Sequence, residues 1–238
     1  MKTLDQLKVK IFADGADLDA ILELHQNPLI SGFTTNPTLM RNSGVSDYEM
    51  FSRQVLEKIE DRPVSFEVLS DEFEEMERQA YKIASWGNNV FVKIPVTNTR
   101  GEKTLELVRR LAGEGVQLNV TALMTVEQVR IVSDVLKDQA PAYISVFAGR
   151  IADTGRDPVP LMKEAVEIMA PYRSQELIWA SPRELLNIFH ADEIGCHVIT
   201  VTNDILKKLA FVGKDLDEFS LDTVKMFYSD AKKAGYRL

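Results

Sequence analysis

Short apolar runs alternate with amphipathic stretches along the whole chain. The runs are rich in Val, Ile, Leu and Phe and are four to seven residues long, which is typical of strands buried on both faces of a parallel sheet. We predict eight such strands, over residues 9–13, 32–35, 64–69, 90–95, 117–123, 143–148, 176–180 and 197–201.

Between the runs, apolar residues recur at the three-to-four-residue spacing of helices that bury one face. This spacing predicts helices at 71–86, 102–112, 125–137, 160–170 and 182–190, and a further helix at about 220–236 beyond the last strand. Ser70 and Thr125 fit the N-cap positions of two helices, and Pro182 fits the first turn of another. The last helix is expected either to cap the barrel or to contact another subunit.

Eight strand-helix units within 238 residues, without a Gly/Ser linker, predict one domain over residues 1–238. The expected fold is α/β, a single (β/α)8 TIM barrel with an extra C-terminal helix. A doubly wound sheet is the alternative, but no predicted strand is followed by the GxGxxG turn of a dinucleotide site.

The composition and charge of the chain exclude several classes of partner. The chain has 28 basic and 36 acidic residues, a net charge of −8, which argues against a nucleic-acid or anionic-membrane surface. A single cysteine, Cys196, fits a reducing compartment, and no stretch approaches the ~20 apolar residues of a membrane span. We therefore expect a cytoplasmic protein without a membrane partner. The chain has no HxH, HExxH or clustered Cys/His pattern, so neither a metal nor another cofactor is expected.

Lys93 is the most unusual residue, because it lies in the middle of the apolar run at 90–96. Burial disfavours the charged form of a lysine, and a neutral amine can attack a carbonyl carbon to form a Schiff base. A lysine whose stem packs while its ammonium reaches water is the alternative.

Polar residues also lie at or just beyond the ends of the first seven predicted strands, where TIM barrels carry their chemistry. The set is Asp14, Thr34, Thr35, Asn36, Glu67, Lys93, Asn119, Thr121, Ser145, Arg150, Ser181 and Arg183. Taken singly, each of these residues could have a purely structural role, such as forming a turn or occupying a position in a strand. Because buried polar groups need partners, a ring of them around one lysine suits a polyhydroxylated substrate.

Five segments then resemble, in order and spacing, the signature segments of the transaldolases, especially the short bacterial and archaeal type. They are GFTTNPTLM (32–40), FVKIPVT (91–97), LNVTALMT (118–125), SVFAGRIAD (145–153) and WASPREL (179–185). The resemblance implies a (β/α)8 barrel that transfers a dihydroxyacetone unit, through a Schiff base, from a ketose phosphate to an aldose phosphate. Sedoheptulose 7-phosphate or fructose 6-phosphate is the expected donor, the pentose phosphate pathway the expected context, and a homo-oligomer the expected assembly.

By the same resemblance, Lys93 is the Schiff-base nucleophile and Asp14 exchanges a proton with the C4 hydroxyl. Glu67 works with a water held by Thr121 as the carbinolamine forms and hydrolyses. The expected substrate-binding set is Thr35, Asn36, Asn119, Ser145, Phe147, Arg150, Ser181 and Arg183, the last two forming the phosphate site with Arg150.

Glu67 and Phe147 favour transfer over simple cleavage, because related fructose-6-phosphate aldolases carry Gln and Tyr at these positions. A tyrosine hydroxyl could organise the water that hydrolyses the imine, whereas Phe147 cannot. Three alternatives stay open: a class I aldolase, a specialised transaldolase that makes an unusual sugar phosphate, and a non-enzymatic barrel that binds a phosphosugar. Pro182, where an aromatic residue is usual, leaves the position of Arg183 less fixed by the pattern.

Overall fold

The protein forms a closed barrel of eight parallel strands in the computed structural model, which describes residues 2–237. The strands pair in chain order, and β8 closes the barrel against β1. Their bounds are β1 Lys10–Asp14, β2 Ile30–Thr34, β3 Val64–Glu67, β4 Val90–Pro95, β5 Leu118–Leu123, β6 Ala142–Val146, β7 Gln175–Trp179 and β8 Val198–Thr202.

Helices follow the strands, and all of them except the last one bury residues. They are α1 Leu18–His25, α2 Pro37–Asn42, α3 Tyr48–Lys58, α4 Phe73–Ala84, α5 Leu105–Gly113, α6 Val126–Val135, α7 Ala148–Ala152, α8 Val159–Met169, α9 Leu186–Glu193, α10 Asn203–Leu206 and α11 Leu216–Ala234. Short 3-10 helices lie at Leu4–Gln6 and Lys207–Phe211. The predicted (β/α)8 fold and its eight strands are confirmed, each strand end lying within two residues of the prediction.

The helix ends follow local chemistry. Thr125 caps α6, because its side chain accepts a hydrogen bond from the Gln128 amide and the Gln128 side chain returns one to the Thr125 backbone. The prediction that Pro182 opens a helix is wrong, since α9 begins at Leu186. The Asn187 side chain accepts hydrogen bonds from the amides of residues 183 and 184 and holds that segment in a turn.

The lower part of the barrel interior is filled with large side chains. Phe12, Phe91 and Tyr143 form a buried cluster with Ile178 and Val198, and the Phe91 and Tyr143 rings lie 4.4 Å apart. A packed interior of this kind leaves room for a cavity only at the ends of the strands.

Helix α11 does not cap the barrel. It has 19 residues and none of them is buried, and the side chains of Leu216, Val224, Phe227 and Tyr228 are more than half exposed. The prediction of a barrel cap is therefore wrong, because a cap would bury one face of the helix. No helix within residues 2–237 is long and apolar enough to cross a membrane.

Candidate active site

A cavity of about 480 Å³ opens where the strands end at the C-terminal face of the barrel. Ten of the twelve predicted catalytic and substrate-binding residues line it: Asp14, Asn36, Glu67, Lys93, Asn119, Thr121, Ser145, Phe147, Arg150 and Ser181. They come from seven different strands or the loops that follow them, so only the closed barrel brings them together. The cavity is therefore the candidate active site.

Lys93 reaches this cavity from the middle of β4 and is only 6% exposed. Its Nζ donates a hydrogen bond of 2.8 Å to the carbonyl of Thr35 and lies 3.3 Å from Oε2 of Glu67. Glu67 and Lys93 are register partners on β3 and β4, so both side chains point to the same face of the sheet. The ammonium is thus held by one carboxylate and one carbonyl at the edge of the cavity.

Asp14 ends β1 on the other side of the cavity. Burial raises the pKa of the Asp14 carboxyl above its ordinary value, although the nearby Lys93 charge and a hydrogen bond from Thr34 oppose the shift. The Thr34 hydroxyl donates to Oδ1 of Asp14 at 2.8 Å, and the Thr200 hydroxyl lies beside that of Thr34. A carboxyl whose charge is only partly compensated is suited to accept a proton from a bound hydroxyl.

Asn119 is held by hydroxyls on both sides. Its amide nitrogen donates to the Ser65 hydroxyl at 3.1 Å, and its carbonyl oxygen accepts a hydrogen bond of 2.7 Å from Ser145. All three side chains are buried, so this chain of hydrogen bonds fixes the orientation of the amide. The amide carries a second N–H that can still be donated to a substrate oxygen.

Thr121 is followed by Ala122, whose backbone is in the left-handed region with a φ of 65°. The Thr121 hydroxyl is buried and has no hydrogen-bond partner within residues 2–237. Because a buried hydroxyl without a partner is costly, a hydroxyl on the cavity wall is expected to bind a water or a substrate group.

Asn36 connects the cavity wall to α2. Its side-chain oxygen accepts a hydrogen bond of 3.0 Å from the Leu39 amide and so caps the helix, in which Pro37 takes the first position. Because the side-chain oxygen accepts the capping hydrogen bond, the two N–H groups of the Asn36 amide remain as donors for a ligand.

The wall at β6 and β7 carries Arg150 and Ser181. Ser181 adopts a left-handed conformation with a φ of 56°. Its carbonyl oxygen would lie 1.5 Å from a Cβ on Gly149, so only glycine is tolerated at position 149. This close approach brings the loop after β7 against α7, and the exposed guanidinium of Arg150 adds a positive charge that suits a phosphate.

Two predicted residues do not line the cavity. Arg183 forms an ion pair with Asp153 instead, and its Nε donates to that carboxylate at 2.9 Å. Arg183 lines a separate small pocket beside Gly149 and Asn187, outside the cavity that Arg150 lines. The side chain of Thr35 is buried in the wall, and only its backbone carbonyl takes part, as the acceptor of Lys93.

Phe147 lines the cavity and packs on the aromatic cluster beneath it. It is the N-cap residue of α7 and follows β6 directly. An aromatic ring at this place presents an apolar surface without a hydroxyl to the cavity.

Sequence reasoning missed two residues that matter at the site. Thr200 of β8 lines the cavity, and barrel closure brings it beside Thr34 across β1, which lies between their two strands. Tyr48, the first residue of α3, bonds through its hydroxyl to both the amide and the carbonyl of Glu67 at 2.7 Å. Nothing in the local sequence marks Tyr48, because the contact depends on how α3 packs. No group of three His, Cys, Asp or Glu side chains in the described part of the chain is arranged to hold a metal.

Comparisons with known proteins agree with this geometry. A family model described as transaldolase/fructose-6-phosphate aldolase matches residues 11–238. A protein of Thermoanaerobacter sp. named "Probable transaldolase" is 32% identical over 231 residues, covering 97% of this chain and all of that one. A protein of the same name from Streptococcus equi subsp. zooepidemicus is 36% identical over 203 residues, covering 84% and 90% of the two chains.

The barrel is also similar to the solved structure of a mandelate oxidase variant. The TM-score is 0.56 at 13% identity, over 91% of this chain and 75% of that one, which supports the fold alone. The family match covers nearly the whole chain and includes every strand that lines the cavity. The chain therefore belongs to the transaldolase/fructose-6-phosphate aldolase family.

Proposed function

We propose that the protein is a transaldolase that carries a dihydroxyacetone unit on Lys93 from a ketose phosphate to an aldose phosphate. The observation that supports this most is that a buried lysine and two carboxylates, Asp14 and Glu67, line one cavity. We expect fructose 6-phosphate or sedoheptulose 7-phosphate as the donor. The reaction would then belong to the pentose phosphate pathway, in the cytoplasm.

The first step is imine formation. The neutral amine of Lys93 adds to the C2 carbonyl of the ketose, and the carbinolamine loses water to give an iminium. Glu67, 3.3 Å from Nζ, is placed to accept and return the protons that this step requires. The Thr121 hydroxyl would hold the water that carries them.

The second step is cleavage of the C3–C4 bond. Asp14 accepts the proton of the C4 hydroxyl, the C4 oxygen becomes the carbonyl of the leaving aldose phosphate, and the bonding electron pair moves into the iminium to give an enamine. An acceptor aldehyde reverses these movements: the enamine carbon attacks it, and Asp14 returns the proton. Water then releases the new ketose from Lys93.

Binding groups surround these reacting atoms. Asn36, Asn119 and Ser145 provide the donors and acceptors that the hydroxyls of the dihydroxyacetone unit need. Arg150 and Ser181 lie on one wall and would hold the phosphate, since charge-assisted hydrogen bonds from arginine are the strong ones. Arg183 is not part of this proposed phosphate site, because Asp153 already pairs with it.

The Phe147→Tyr variant tests transfer against simple cleavage. The added hydroxyl could organise a hydrolytic water, so release of free dihydroxyacetone from fructose 6-phosphate should rise roughly tenfold, the effect of one hydrogen bond. Transfer to erythrose 4-phosphate should stay equal or fall. The measurement is a coupled assay, with and without acceptor, on the wild type and the variant.

In the wild-type protein, exchange should be faster than release. Phe73→Tyr, which adds a hydroxyl to a partly exposed phenylalanine at the start of α4 and outside the cavity, is the control and should change neither rate. If the wild-type protein released dihydroxyacetone without an acceptor as fast as it transfers it with one, the protein would be a fructose-6-phosphate aldolase and not a transaldolase.

We also propose that the protein is a homo-oligomer whose subunits are joined by α11. A helix that buries none of its residues is marginal in water, because most helical stability comes from packing of an apolar face. Leu221, Val224, Phe227 and Tyr228 recur on one side of α11 at helical spacing and are more than half exposed.

The chain also has an apolar groove that could receive the apolar side of α11 from a second copy. A groove of about 720 Å³ is lined by five apolar side chains and by two lysines and two glutamates: Leu185, Leu186, Phe189, Phe211, Val212, Lys2, Lys208, Glu184 and Glu193. Exchange of α11 between two copies would cover both apolar surfaces, so we take a second copy of this chain as the occupant.

The Val224→Glu variant should therefore lower the molar mass in solution to that of one chain, because a charge cannot be buried in an apolar contact without a partner. Size-exclusion chromatography with light scattering measures this. Met50→Glu, at an exposed methionine of α3, is the control and should leave the mass unchanged. A wild-type protein of monomer mass at micromolar concentration would contradict the assignment.

A further inference from the structure

The ladder between β2 and β3 ends early beside Lys93. The Thr35 amide donates to the Ser65 carbonyl at 3.3 Å. In a regular parallel ladder the next two bonds would join the Glu67 amide to the Thr35 carbonyl, and the amide of residue 37 to the Glu67 carbonyl. Residue 37 is a proline and has no N–H to donate.

The Tyr48 hydroxyl takes the place of both missing partners. It accepts a hydrogen bond from the Glu67 amide and donates one to the Glu67 carbonyl, each at 2.7 Å. The Thr35 carbonyl is thereby released from the ladder, and Nζ of Lys93 donates to it at 2.8 Å. One side chain thus completes the backbone of Glu67 and leaves a carbonyl for the lysine.

The ring of Tyr48 is held firmly in this position. It packs near Phe66 and Trp86, with ring centroids 6.5 and 6.1 Å away, and Asp47 caps α3 immediately before it. Burial raises the pKa of the Tyr48 hydroxyl, so the group stays protonated and can donate to the Glu67 carbonyl. The hydroxyl does not line the cavity, so it cannot touch the substrate itself.

We propose that Tyr48 is a positioning residue for the Schiff-base step: it fixes the end of β3 so that Glu67 and the Thr35 carbonyl hold the amine of Lys93 at the cavity. This inference rests on the proposed function of Lys93. Without the hydroxyl, the Glu67 amide would compete with Lys93 for the Thr35 carbonyl, and both the carboxylate and the amine would lose their fixed positions.

The Tyr48→Phe variant tests this inference, since it keeps the ring and removes only the hydroxyl. With fructose 6-phosphate and borohydride, we expect the rate of adduct formation on Lys93 in a single turnover to fall about tenfold or more, and kcat to fall with it. KM should change little, because Arg150, Asn119 and Ser145 are untouched. Tyr81→Phe, which removes a surface hydroxyl that bonds to Glu114, is the matched control and should leave the rate unchanged.

A second measurement separates positioning from stability. If Tyr48 acts through Glu67, adding Tyr48→Phe to a Glu67→Gln variant should slow adduct formation much less than it does in the wild type. A Tyr48→Phe protein that melts earlier but forms the adduct at the wild-type rate per folded molecule would overturn the inference and leave the proposed function intact. Wild-type protein that forms no adduct would instead overturn the proposed function.

Discussion

Replacing Lys93 by alanine should abolish transfer, with kcat reduced on the order of 10⁴-fold or more, since the covalent route needs the amine. Among residues 2–237, Lys93 is the only lysine that lines the cavity, so no second amine is placed to take over. The variant should be less stable than the wild type, because the substitution leaves the Glu67 carboxylate and the Thr35 carbonyl without their partner, so activity is expressed per folded molecule. A coupled assay for glyceraldehyde 3-phosphate, combined with circular dichroism, measures activity and folding on the same sample.

Lys10→Ala is the matched control for this loss. Lys10 begins β1 at the opposite end of the barrel and pairs with Glu176 at 2.6 Å, as Lys93 pairs with Glu67. Its loss should leave kcat close to the wild-type value. Residual activity of Lys93→Ala within tenfold of the wild type would mean that another group forms the imine.

Asp14→Asn should lower kcat by about 10²- to 10⁴-fold, the usual contribution of a positioned general base. An amide keeps the shape of the side chain and its hydrogen bond to Thr34 but cannot accept the C4 proton. Imine formation should survive, so the variant should still give a borohydride adduct on Lys93. The pH dependence of wild-type activity should show an acidic limb whose midpoint lies above the ordinary aspartate value of about 3.9, because burial raises the pKa of Asp14.

The raised pKa of Asp14 also predicts whether the Asp14→Asn variant is more or less stable than the wild type. A carboxyl whose pKa is raised by folding binds its proton more tightly in the folded state, so at neutral pH its ionisation favours unfolding. Asp14→Asn should therefore hold or raise Tm at pH 7 while activity falls. A lower Tm together with a proportional loss of activity would point to a structural role.

Asp192 of α9, which contacts the chain just before β1, has a pKa that is shifted in the opposite direction to that of Asp14. Burial opposes its charge, but Lys2 and the amides of Val9 and Lys8 together lower the pKa of Asp192. Its stabilising charge is present above the ordinary aspartate pKa and is lost as pH falls through the lowered value. Asp192→Asn should thus lower Tm at pH 7 and leave kcat per folded molecule unchanged.

The barrel could be predicted because its strands are buried on both faces, which leaves a continuous apolar run in the sequence. The bounds of β4 are the predicted ones. The start of β2 is two residues earlier than predicted, because Gly32 lies inside the strand. A Cβ at that position would lie 2.6 Å from the Phe12 ring, so the glycine makes room for the barrel interior and does not end the strand.

The positions that the sequence did not predict depend on contacts between distant segments. A left-handed Ser181 directs Arg183 to Asp153, and this turn cannot be read from the order of residues alone. Tyr48 reaches Glu67 only because α3 packs beside β3. The C-terminal helix was recognised by its spacing, but an apolar face alone does not tell whether it packs on its own barrel or on another molecule.

Reductive trapping of the imine tests the central proposal most directly. The protein is incubated with fructose 6-phosphate and borohydride, digested, and analysed by peptide mass spectrometry with Lys93→Ala as the control. We expect a three-carbon adduct on the peptide that contains Lys93 and none on the variant. An adduct on a different lysine, or no adduct while the protein transfers dihydroxyacetone, would contradict the central proposal.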